Sequence, residues 1–116
     1  MKVRKKSVEF AKSLVRDGKI DMESDWSEAQ PSAADENRYL EDHSWDDYAN
    51  WFLATNEEEG GREDKEYYNF PYGDFEVVHR DGVIAAKQRA GQYDYHDVLE
   101  AADELLDMID QRKGEK

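Results

Sequence analysis

The chain of 116 residues contains no cysteine. That excludes a disulfide framework, a thiolate nucleophile and any zinc site built on thiolates. No stretch approaches the roughly 18 consecutive apolar residues of a membrane helix. The opening "MKVRKKSVEFAKSLV" has a basic head without the apolar run of a secretory signal, so a cytoplasmic location is expected. Positive charge is scarce, with 16 Lys and Arg against 29 Asp and Glu and a formal net charge of −13. Such a chain repels nucleic acid and anionic membranes at long range. Nucleophile and nucleotide signatures are missing as well. No serine stands in Gly-x-Ser-x-Gly, and neither a Walker-type loop nor a dinucleotide fingerprint occurs. No cofactor is expected.

What is present points to one folded domain, 1–116. A chain of this size buries roughly two-thirds of its unfolded surface. Three Trp, seven Tyr and four Phe supply the core that disordered chains lack. The charge is uneven: residues 1–20 carry +5, 21–66 carry −13, 67–93 are neutral and 94–116 carry −5. Excess Asp and Glu serve as solvation in salt-rich cytoplasms, so the composition suits a halophilic source.

Apolar spacing predicts mostly helix. Residues 1–20 form a basic N-terminal helix, with Phe10, Ala11, Leu14 and Val15 on one stripe and Gly18 at its C-terminal end. Residues 21–31 are expected to be a loop, pinned by Trp26. Residues 32–54 hold two helices. Ser32 and Asp35 open the first, anchored by Tyr39 and Leu40. Ser44 caps the second, which places Trp45, Tyr48, Ala49 and Phe52 on one face. An acidic, then aromatic loop spans 55–79, with 76–79 briefly extended. Residues 80–112 hold two more helices. Asp81 is the expected N-cap of the first, with Val83, Ala86 and Ala90 as its stripe. Val98, Ala102, Leu105 and Ile109 form the stripe of the second, with Gly114 past its end. The predicted fold class is therefore all-α, or mostly α with a short extended segment near 76–79, as an irregular bundle of about five helices.

Several motifs fail on inspection. "HRD" at 79–81 lacks the Asn of a kinase catalytic loop, since Ala86 stands there. "EVVH" at 76–79 is a single copy where a di-iron site needs two. An EF-hand loop begun at Asn56 puts Gly61 correctly at the sixth position but Tyr67 where the bidentate Glu belongs. His96 with Glu100, and His43 with Asp47, share helix faces as any His in an acidic chain will. No metal site is expected. The last helix is too acidic to read DNA, so nucleic acid is not an expected partner.

The segment "YYNFPYGDFEVVHRDGVIAAKQRAGQY" stands apart. It balances three acids with three bases and holds six of the aromatics. Its aromatics seal a core, or it is an aromatic surface with a basic edge, suited to an unknown protein partner. On the surface reading the chain is a small non-catalytic interaction module, and Tyr72, His79, Arg80, Lys87 and Arg89 are its binding residues. The alternative is a small enzyme or anionic-ligand binder. His79 would then be a general base beside Asp74 or Asp81, with Arg80 orienting the substrate.

The pieces "FPYGDF", "VHRDGVIAAKQRA", "EAADELLDMID" and "WDDYANWFLA" resemble a family of small uncharacterised prokaryotic proteins, and the acidity suits a haloarchaeal member. The resemblance covers most of the chain and brings no activity with it. Segments accompanying phage prohead proteases are similar in a Tyr-x-x-Pro turn and an Arg-then-Ala-rich helix. No protease residues are present, so nothing is carried over from them.

Overall fold

A computed structural model describes residues 1–113. It corrects the all-α expectation: the chain is α/β, with six α-helices and two small sheets among the described residues. In chain order these are β1 (Lys2–Val3), α1 (Lys5–Arg16), β2 (Ile20–Asp21), α2 (Trp26–Ala29), α3 (Ala33–Asp42), α4 (Trp45–Ala49), β3 (Phe52–Thr55), β4 (Tyr68–Pro71), β5 (Val78–His79), α5 (Arg80–Gln92) and α6 (His96–Lys113). A single 3-10 turn, Lys65–Tyr67, leads into β4. Gly114 lies outside the described residues.

The predicted helical stripes are the buried ones. Ala11, Leu14 and Val15 of α1 face inward, while Phe10 packs edge-on against Trp51. Gly18 closes α1 at a φ of +76°, where the Gly18 amide reaches the Val15 carbonyl and the Lys19 amide reaches that of Leu14. That pair of bonds is a Schellman ending. Val83, Ala86 and Ala90 of α5 are buried against α6, whose Val98, Ala102, Leu105 and Ile109 are almost fully enclosed. The two helices turn on Asp94, a short polar residue that tolerates its left-handed φ of 60°. Ser32 forms a reciprocal capping box with Asp35, and Ser44 accepts the Asp47 amide.

The strands are where expectation and structure part. Helix α4 stops at Ala49, and Phe52–Thr55, of which 52–54 were expected as helix, is the central strand of a three-stranded antiparallel sheet ordered β1-β3-β4. Its register pairs Val3 with Ala54 and Asn69 with Ala54 from the other side. All four residues of β3 are buried. The expected N-terminal helix therefore begins only after β1, and the expected 55–79 loop contains β4; the extended segment expected near 76–79 is present as β5. Strand β2 pairs in parallel with β5, Asp21 opposite His79. The expected 21–31 loop holds that strand and the one-turn helix α2.

Asp81 does not cap α5, because His79 occupies the N-cap position. The Asp81 carboxylate instead accepts the Trp26 amide at 2.8 Å, fixing α2 against α5. Trp26 is buried, as its pinning role requires. Gly82 makes the approach possible, since a Cβ there would lie 2.9 Å from the Trp26 ring and 3.0 Å from the Tyr72 carbonyl oxygen.

Candidate functional site

The predicted site residues do not share a surface. Tyr72 follows β4 into the core at 0 % exposure, and its hydroxyl donates to the Asn50 carbonyl at 2.6 Å. Burial pushes that phenol well above its ordinary range. His79 ends β5 at 2 % exposure. Arg80 and Lys87 point along α5 toward α6. The Arg80 guanidinium donates to Asp110 at 2.9 and 3.4 Å, and the Lys87 ammonium donates to Asp103 at 2.6 Å. Each ion pair raises its base above the ordinary value. Arg89, two residues further along, is exposed, and its side chain has no ion pair or hydrogen bond among the described residues.

The geometry around His79 is that of a carboxylate-oriented imidazole. Nε2 lies 2.8 Å from Asp74 Oδ2, and a carboxylate only accepts, so Nε2 carries the proton. Asp74 Oδ1 also accepts the Glu76 and Val77 amides, which tightens the turn before β5. Burial raises the Asp74 pKa, but the His79 and amide hydrogen bonds outweigh it and hold the carboxyl below its usual value. On the other side, Nδ1 is 3.8 Å from Asp21 Oδ2 and has no hydrogen-bond partner among the described residues. The Trp26 ring covers the imidazole at 5.5 Å between centroids. Of the two carboxylates expected near His79, the structure brings Asp74 and sends Asp81 to Trp26. Such a pair can orient a base, but chemistry on a dissolved substrate needs an exposed nitrogen. Here the pair fastens the Asp74 turn to the end of β5.

The ends of the 67–93 segment do converge at the surface. Residues of β4 and the α5–α6 turn line a groove of about 400 Å³ with Arg89, Tyr93 and Tyr95 on one wall. Met1, Glu36 and Glu59 complete it from distant parts of the chain. Among the described residues the exposed large apolar side chains are Tyr93, at 56 %, and Met1, at 41 %, and both line this groove. Phe70 sits beneath it, edge-on to Tyr95, in the left-handed region at a φ of 65°. A bulky residue there carries backbone strain, which ligand clamps tend to accumulate. Tyr93 carried a sequence signal, as the aromatic that closes the neutral segment. Met1, Glu36 and Glu59 had none, because tertiary folding alone brings them near.

No three His, Asp or Glu side chains among the described residues are grouped to hold a metal ion, and no helix among them is long and apolar enough to cross a membrane. Comparison with protein-family models, with curated proteins and with solved structures finds no match for this chain.

Proposed function

We propose that the protein is a small, non-catalytic, cytoplasmic interaction module that grips a partner protein in the Arg89–Tyr93 groove. The observation that carries this reading is the meeting, in one concave place, of the two large apolar side chains exposed among the described residues with a guanidinium that makes no ion pair among them. Tyrosine and arginine dominate the energetics of protein contacts, because each combines apolar area with directed hydrogen bonds. The partner segment that fits presents an apolar side chain beside a carboxylate, the first against Tyr93 and Met1, the second against Arg89. On this reading the core-facing members of the 67–93 segment, Tyr72 and His79, act by shaping the scaffold. The acidic coat fits a haloarchaeal member of the small prokaryotic family that the chain resembles.

Wild type, Arg89→Glu and Tyr93→Ser are immobilised and exposed to lysate of the source cell. The protein retained by wild type is purified, and its affinity for all three is measured by calorimetry. Each variant is expected to weaken binding by about tenfold or more, the scale of losing an interface anchor. Retention of no protein by wild type, or equal affinity for the variants, overturns the reading.

A further inference from the structure

A second groove, of about 650 Å³, lies where β1, the start of α1 and the loop before the 3-10 turn meet. Lys2, Arg4, Lys5, Lys6 and Arg62 line it, against two carboxylates, Asp46 and Glu57. In a chain with 29 acids, none of these five cations has a carboxylate within 4 Å among the described residues, whereas Lys12, Arg38, Lys65, Arg80 and Lys87 all do.

The fold holds the charges in place without neutralising them. The half-buried Arg4 guanidinium donates to Ser7 Oγ at 3.0 Å and to Asn50 Oδ1 at 2.7 Å, both neutral oxygens. The Tyr68 hydroxyl donates to the Arg62 carbonyl at 2.6 Å, which fastens the loop carrying Arg62 beside the groove. Lys5 and Lys6 occupy the first turn of a 12-residue helix that has no acid there. The positive end of the helix dipole disfavours cations, so it adds to their mutual repulsion. At physiological ionic strength the Debye length is about 8 Å, so the distant acids are screened and the local positive field persists.

We infer that this groove binds a small molecule carrying a polyphosphate chain. Its volume is that of a small-ligand site, roughly 300–1,000 Å³. Five cations on two sides exceed the need of one carboxylate and suit a chain of linked phosphates. Half-buried Tyr67, at the rim, offers a ring to a base attached to that chain. The inference is independent of the Arg89–Tyr93 groove.

The test is an amide NMR titration of the full chain with sodium tripolyphosphate, with ATP and with sulfate, at about 0.1 M KCl, where surface charge is only partly screened. Saturable shifts confined to residues 2–8 and 62–68 are expected with tripolyphosphate. The exposed double variant Lys5→Gln/Lys6→Gln, and separately Arg62→Gln, should each weaken binding by about tenfold, or about 1.4 kcal/mol. Equal affinity for ATP and tripolyphosphate assigns recognition to the phosphates alone, and tighter ATP binding adds a contact from the base to Tyr67. Sulfate bound as tightly as tripolyphosphate, shifts spread equally over Lys12, Lys19 and Lys87, or folded variants that bind like wild type overturn the inference.

Discussion

His79 lies between two carboxylates that reach it from different parts of the chain: Asp74, five residues upstream, and Asp21, on the strand beside its own. Both carboxyls are held below their ordinary range, and their causes differ. For Asp21 the Ser24 hydroxyl leads, followed by the Ser24 and Glu23 amides, and the pKa falls from 3.8 to about 2. For Asp74 burial works upward and the hydrogen bonds from His79, Val77 and Glu76 overcome it. A carboxyl whose folded pKa is depressed stabilises the fold above its unfolded pKa, and that stabilisation is lost as pH falls through the folded value. The melting temperature is therefore expected to drop between pH 3.8 and about 2. Asp21→Asn should flatten that drop while lowering the melting temperature at neutral pH, as calorimetry across the pH series would show. An unchanged slope in the variant would remove Asp21 from the account. The proximity of His79 to an acid was legible in "GDFEVVHRD"; the choice of Asp74 over Asp81 was not. That choice depends on the Trp26 amide, 55 positions from Asp81, claiming the Asp81 carboxylate.

Helices were legible because their signals are local. The stripes of α1, α5 and α6, the caps at Ser32 and Ser44 and the glycine ending of α1 need only neighbours within a turn or two. Strand β3 was not legible. "FLAT" is four residues long, follows α4 after two residues and is buried at every position, so no alternation separates it from helix. Strands β1 and β2 are two residues each, and their pairing partners create them, whereas the extended stretch at 76–79 was expected and holds β5. Helix α3 invites a test of capping, since it contains no fully buried residue and depends more on its capping box than on packing. Ser32→Ala is expected to cost about 1 kcal/mol. The loss should be local, with faster amide exchange in 33–42 and unchanged protection in 98–109. Wild-type exchange in α3 of the variant would show that the box contributes nothing.

Over the whole molecule acids outnumber bases, 29 to 16, and their pairing is sparse. The basic first helix does meet the acidic last one, through Lys12 and Glu104 at 2.6 Å, and the Arg112 guanidinium donates to the Arg16 carbonyl. Acidic runs such as Glu57–Glu59 remain exposed and repel one another. Self-repulsion at a net −13 opposes the compact state until salt screens it. The Debye length shrinks from about 30 Å at 0.01 M to about 3 Å at 1 M, so the melting temperature should rise across that range of KCl. A gain of about 1 kcal/mol corresponds to roughly 4–8 °C for a domain of about this size. A melting temperature that stays flat or falls would mean that the acids are already accommodated without salt.

Composition and spacing by themselves determined the helical stripes, their caps, the lack of thiol chemistry and the placement of a neutral aromatic segment in an acidic chain. Each of these rests on residue type or on contacts a few positions apart. The tertiary structure alone decided that β3 crosses the middle of the molecule, that His79 and Tyr72 go inside, and that Arg89 with Tyr93 and Lys5 with Arg62 border separate open grooves. Those outcomes depend on strand pairing and on the assembly of distant segments. Their energies come from burial and hydrogen bonds between residues such as Arg4 and Asn50, 46 positions apart, which no local pattern encodes.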